Sequence, residues 1–162
     1  FAGYTIPSIR SAGAIVNIIV APVTTTITVT DINTTAVVVG ARVFLEAFSG
    51  ASGNYRESVT ITRATNTATV THTSHGLSTG DKVRILGAVQ TEYNGVHSIT
   101  ATTVNAYTFT VIGTPTTPAT GTITSTTVYI DGETNGSGVI SDTRSFGTSQ
   151  PVKGRVLSLI HI

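Results

Sequence analysis

The segment VTITRATNTATVTHTSHGLSTGDKVRILGAVQTEYNGVHSITATTVNAYTFTVIG, Val59 to Gly113, constrains this chain more than any other. No sustained helical period runs through it. β-branched residues alternate with polar ones over a few positions at a time, and Gly, Asn or Asp closes each stretch. Alternation sends successive side chains to opposite faces of a strand, and β-branched side chains suit a pleated surface. The segment therefore predicts short strands at close spacing: VTITR and TATVTH joined at ATN, the HGLSTGD turn, KVRILGA, a loop through TEYNG, VHSITATT, a turn near Asn105, and YTFTVIG. The proline-bearing TPTTPATG then leads to TITS. Strands so punctuated make a small barrel or sandwich rather than an α/β unit.

The flanks have another texture. TTTITVT, Thr24 to Thr30, places Ile27 and Val29 on one face, and DINTT turns the chain. In AVVVGARVFLEA, Gly40 breaks an apolar run, and a strand follows in which Val43 and Leu45 alternate with Arg42, Phe44 and Glu46. SGASGN is a loop by composition. After about Thr126, TTVYIDGETNGSGVISDTRSF reads as two strands joined in a hairpin at NGSG. QPVKGRV is a final strand led in by Pro151, which suits an edge. The expected organisation is a discontinuous outer domain, residues 24–56 and 126–156, holding an inserted cassette, residues 57–125. Residues 1–23 are the end of a preceding region or a first strand, and AGAIVNIIVAPV, Ala12 to Val23, reads there as a buried strand. That run is shorter than the roughly 18 to 20 apolar residues a membrane helix needs.

Composition narrows function. A net charge of +1 with 10% charged residues lacks the basic excess that phosphate neutralisation demands, so no nucleic-acid partner is expected. Hydrophobic content of 40% argues against disorder. With no cysteine there is neither a disulfide framework nor a thiolate ligand or nucleophile. Phe1 opens the chain without a signal-peptide pattern, and LSLIHI, Leu157 to Ile162, is the translation of a transposase adapter used in sequencing libraries. The chain is thus expected to be a metagenomic fragment whose last six residues are adapter read-through.

The cassette is similar to a barrel-like module shared by many tailed-phage virion proteins and related to the first catalytic-cysteine half-domain fold of ubiquitin-activating enzymes. The likeness rests on His75-Gly76-Leu77, Gly80-Asp81, Val83, Gly87, Tyr93-Asn94-Gly95 and Tyr107 to Val111, in the expected order over about sixty residues. It implies no catalytic cysteine. The outer segments TITVTDINTTAVVVGARVFLEA and DGETNGSGVISDTRSFGTSQPVKGRV resemble an immunoglobulin-like or carboxypeptidase-regulatory-like sandwich of the same kind of protein. From Val156 onward the chain departs from that pattern, which would continue with basic and polar residues. The resemblances imply an all-β fold, an immunoglobulin-like β-sandwich interrupted by a small inserted β-barrel.

Several residues imitate chemistry. His72 and His75 suggest a metal pair, but a spacing of three on an extended strand sends them to opposite faces unless a turn intervenes, and only His97 and His161 could add to the set. The reading preferred is that His75 braces the turn while Gly76 and Gly80 take unusual dihedrals. Ser74, His75 and Asp81 lack the strand-to-helix elbow of a hydrolase nucleophile. Asp131, Glu133, Asn135, Gly136 and Asp142 imitate a calcium loop but lack its twelfth-position Glu and flanking helices. Arg63, Lys82, Arg84, Lys153 and Arg155 alternate with Glu57, Asp81, Glu92 and Asp142, as solvated strand faces do. Tyr4, Tyr55, Tyr93, Tyr107 and Tyr129 read as core or turn packing ahead of sugar-stacking platforms.

No catalytic, metal or cofactor site is expected. The function expected is a non-enzymatic structural or interaction component of a phage virion, in a tail, baseplate, fibre or decoration layer. Its partners would be other virion proteins and a host surface glycan, within a homo-oligomer or larger assembly and without membrane insertion. The alternative is a carbohydrate-binding or adhesive module of a virion or bacterial cell surface.

Overall fold

The computed structural model describes residues 22–51, 53–144 and 150–157. They form an all-β chain: β1 (Val23–Thr28), β2 (Arg42–Ala47), β3 (Glu57–Ser58), β4 (Thr60–Ala64), β5 (Thr67–Thr71), β6 (Lys82–Ala88), β7 (Gly95–Ser98), β8 (Thr100–Thr103), β9 (Ala106–Thr110), β10 (Gly121–Glu133), β11 (Val139–Arg144) and β12 (Val152–Leu157). One 3-10 turn, Thr91–Tyr93, precedes β7. No helix among these residues is long and apolar enough to cross a membrane.

The strands make three antiparallel sheets. One is the pair β1-β11; another has four strands in the order β4-β5-β9-β8; the third runs β12-β2-β10-β6-β7, with β3 also pairing with β10. Two chain corners link the sheets of the cassette. Between β3 and β4 stands only Val59, and between β7 and β8 only Ile99; both are buried, and both residues on either side belong to different sheets. The four-stranded sheet thereby folds over β6 and the first half of β10. Ile61, Val70, Tyr107 and Phe109 from one side meet Val83, Ile85 and Ile123 from the other.

Among the described residues no sheet closes on itself, so the expected barrel does not form as a closed one. The physical reason lies in β10. Its start pairs with β3 and β6, and from Val128 to Glu133 it pairs with β2, so the sheet runs on into the outer half instead of curling back. The junction expected at 125/126 falls inside this thirteen-residue strand. Gly87 and Gly121 permit the irregular pairing of β6 with β10: a Cβ on Gly87 would lie 2.0 Å from the Thr122 carbonyl oxygen, and both glycines have positive φ.

A second core lies in the outer half, where Val43, Leu45, Ala47, Ala51, Tyr129 and Ile130 pack beneath Ile27 and Ile140 of the β1-β11 pair, with Val29 and Tyr55 beside them. The hairpin expected at NGSG is corrected here. β10 and β11 are joined there but belong to different sheets, because β11 pairs along its length with β1. Asn135 makes the corner, its Oδ1 accepting from the backbone of Ser137 at 2.9 Å and Val139 at 3.1 Å. At the far margin β12 is the edge strand that Pro151 predicted, and Leu157 closes it opposite Arg42. The strand expected over Ala12 to Val23 lies outside the described residues except for its last two positions, as do residues 158–162 of the LSLIHI tail.

Candidate functional site

The turn after β5 does intervene between the histidines. Ser74 and Gly76 adopt positive φ of 52° and 62°, and the chain doubles back so that the His72 and His75 rings lie 5.8 Å apart, both edge-on to Tyr107. His75 braces the turn. Its Nδ1 accepts from the Leu77 backbone at 2.9 Å, so the neutral ring carries its proton on Nε2, which donates to the Thr103 carbonyl at 2.9 Å. Both nitrogens are thus engaged by backbone. His72 is buried with Nδ1 unpartnered among the described residues, and desolvation, with the neighbouring His75 adding to it, lowers its pKa to about 4. His97 stacks on Phe109 at 3.9 Å, donates from Nε2 to the Tyr93 carbonyl, and is lowered by burial. His161 and Tyr4 lie outside the described residues.

The Ser74, His75, Asp81 trio does not assemble. Asp81 accepts from the Ser78 backbone at 2.8 Å and pairs with Arg144 at 3.1 Å, turned to the turn and to β11 rather than to the imidazole. The calcium-like set is also taken apart: Asp131 is held by Arg42 and Lys82, Asp142 by Arg144 at 2.6 Å, and Asn135 by its own corner. Among the described residues no group of three or more His, Asp or Glu side chains could hold a metal ion. Tyr93 and Tyr107 are fully buried, and Tyr107 bonds Ser125 at 2.8 Å, with burial pushing its pKa up to about 12. Arg63 braces the loop before Pro118, its Nε donating to the Pro115 carbonyl at 3.0 Å.

The remaining cations converge. Antiparallel partners share a face, so the register of β12 on β2 sets Lys153 beside Glu46, Arg155 beside Phe44 and Leu157 beside Arg42. Asp131 on β10 faces Phe44, and Arg84 on β6 faces Val96 on β7. This outer face of the large sheet is hollowed into a groove of about 380 Å³ lined by Phe44, Glu46, Arg84, Val96, Lys153 and Arg155. It continues into a hollow of about 270 Å³ that shares Phe44, Val96 and Arg155. A larger cleft, about 480 Å³, lies at the seam beside His75 and Tyr129, but its charged groups, Asp81 and Arg144, already hold each other.

Glu46 organises the groove floor. It is 3% exposed, and Arg84 grips it bidentately at 2.6 and 2.7 Å while Lys153 stands 3.5 Å away. A fork-to-fork pair of this kind fixes both side chains as well as neutralising them. Alternation correctly set Glu46 on the face opposite Val43 and Leu45 but missed its burial, because the cover comes from strands distant in sequence. The signal that could have found it is the pairing of RVFLEA against VKGRVL, which puts a lysine beside the glutamate. Arg155 differs from its neighbours: its guanidinium lies 5.6 Å from the Phe44 ring centre, and it makes no ion pair among the described residues. The face therefore offers a positive, partly apolar hollow with one uncommitted cation.

Compared with protein-family models, curated proteins and solved structures, the chain finds no match in any of them.

Proposed function

We propose that this chain is a non-enzymatic structural or interaction component of a phage virion. The observation that carries the reading is the use to which the motif residues are put. His75, Gly76, Asp81, Tyr93 and Asn94, the positions on which the likeness to virion modules rests, hold turns and core. Asn94, for example, bonds the backbone of Ala88 on both sides, through Oδ1 at 3.0 Å and Nδ2 at 2.8 Å. A module whose motif residues are spent on turns, core packing and internal pairs serves as a rigid mount. Genes flanking the coding DNA test this: terminase, portal or tail genes are expected beside it, and a chain encoded among cell-wall sorting or secretion genes overturns the proposal.

The adhesive reading has one observation in its favour, the cationic hollow with Phe44 in its floor, a combination that suits an acidic sugar. A glycan array probes it: saturable binding to a uronate or sialylated glycan, lost in Arg155→Ala, would make the chain a receptor binder.

A further inference from the structure

The hydrogen-bonding pattern of β12 points to a docking edge. Phe48 donates its backbone N–H to the Pro151 carbonyl at 2.9 Å, so the pair 151/48 is of the hydrogen-bonded type. These pairs alternate along an antiparallel ladder, so Lys153, Arg155 and Leu157 bond β2, whereas Val152, Gly154 and Val156 turn their N–H and C=O groups outward. No described strand lies on that side. All of β12 is exposed, with Val152 and Val156 each 46% exposed on the face shared with the outer core, and Lys153 and Arg155 on the groove face.

An open edge accepts a strand, and its side chains decide which one. A second copy of β12 would bring Lys153 and Arg155 against their own kind, which like-charge repulsion disfavours. The stretches of this chain outside the described residues contain no Asp or Glu at all. We infer that β12 receives an extended segment from outside these 162 residues, in which acidic residues alternate with apolar ones. Its main chain pairs with Val152, Gly154 and Val156, its carboxylates meet Arg155 and Lys153 over the groove, and its apolar side chains cover Val152 and Val156. The inference rests on the reading of the chain as an interaction component only for the source of that segment. A chain that never joins particles yet takes the strand would end that reading and leave this one standing.

The test titrates the whole chain with a labelled peptide alternating Glu with Val and Thr, read by fluorescence anisotropy. Saturable binding is expected, weakened by salt, with slowed amide exchange at Val152, Gly154 and Val156. Arg155→Glu should weaken it by about tenfold or more, the worth of one charge-assisted hydrogen bond. Val156→Pro removes an outward N–H that β2 does not use, so it should abolish binding while the melting temperature holds. Equal binding of a scrambled peptide of the same composition would overturn the proposal by reducing the edge to a charged surface. So would self-association abolished by Val156→Pro, or an oligogalacturonate that binds where the peptide does not, since each names a different occupant.

Discussion

Thirteen buried apolar side chains fill the cassette interior among the described residues, and six fill the outer half beneath β1 and β11. In the cassette, Ile61, Val70, Val83, Ile85, Tyr93 and Tyr107 are all completely buried, and two sheets supply the walls. In the outer half the described cover is the two-stranded pair with Val29 and Tyr55 beside it, and Val37, Val39, Val152 and Val156 keep much of their surface in water. The cassette therefore has the larger enclosed core, although Val89, Val104 and Ile112 on its loops are exposed, while the outer half leaves Val152 and Val156 half-exposed on the edge strand β12.

The largest expected effect follows from that contrast. Tyr93→Ala empties a fully enclosed site and orphans the Thr116 carbonyl that the phenol bonds at 3.1 Å, so it should cost about 4 kcal/mol. Leu45→Ala, at a position 9% exposed beneath the thin cover, should cost about 2 kcal/mol, the low end for such truncations. Urea unfolding of the two variants measures both, and equal costs would erase the distinction between the cores.

Acid should also strike the cassette first. His72 titrates near 4 in the folded chain against 6.5 unfolded, so the unfolded chain binds the proton first. Stability is fully present above pH 6.5, falls as pH drops, and levels off below 4, by about 3 kcal/mol at most. His97, lowered by burial, acts in the same direction. His72→Phe should flatten the pH 4 to 6.5 limb of a melting-temperature profile; an unchanged limb would place the acid sensitivity elsewhere.

Glu46→Gln probes the one deeply set charge among the described residues of the outer half. It leaves Arg84 facing an amide in a groove, and because Arg84 and Lys153 retain 26% and 45% side-chain exposure, the cost should be about 2 kcal/mol rather than that of a fully buried pair. Pairing it with Arg84→Met should recover most of the loss in thermal melts.

How much of this was legible beforehand depends on where the strands' partners lie. β2, β4, β5, β6 and β9 follow from alternation and turn residues, since each has one buried face and a local stop, and β1 and β12 follow from alternation and from Pro151 although neither buries a face fully. β10 was read in two pieces because Ser125, Thr126 and Thr127 look like a polar break. They are buried, and each hydroxyl is satisfied from elsewhere: Ser125 by Tyr107, Thr126 by the Arg56 backbone, Thr127 by Asn54. Hydropathy cannot register a hydroxyl whose partner is 18 to 73 residues away. The same holds for Glu46, whose cover is Arg84 and Lys153, and for NGSG, where the choice between hairpin and corner depends on β1. The bracing role of His75 is legible in the HGLSTGD turn, yet the contact it shares with His72 against Tyr107 requires the doubled-back chain.

The smallest effect bears most directly on whether the halves are separable. Thr65 in the cassette's β4-β5 turn and Thr35 in the outer half's Asp31 turn both have positive φ, 51° and 58°, and each donates its hydroxyl to the preceding carbonyl. A β-branched residue is costly in that region, and Asn tolerates it better, so Thr65→Asn and Thr35→Asn should each stabilise by up to about 1 kcal/mol. For a chain of this size that is a rise of about 2–4 °C in melting temperature. If the shared β10 ties the halves into one cooperative unit, the two shifts are equal and additive, and either substitution slows amide exchange at both Val70 and Leu45. If the halves open separately, Thr65→Asn protects Val70 alone and Thr35→Asn protects Leu45 alone. Exchange at these two amides thus decides whether a strand that crosses both cores also makes them one folding unit.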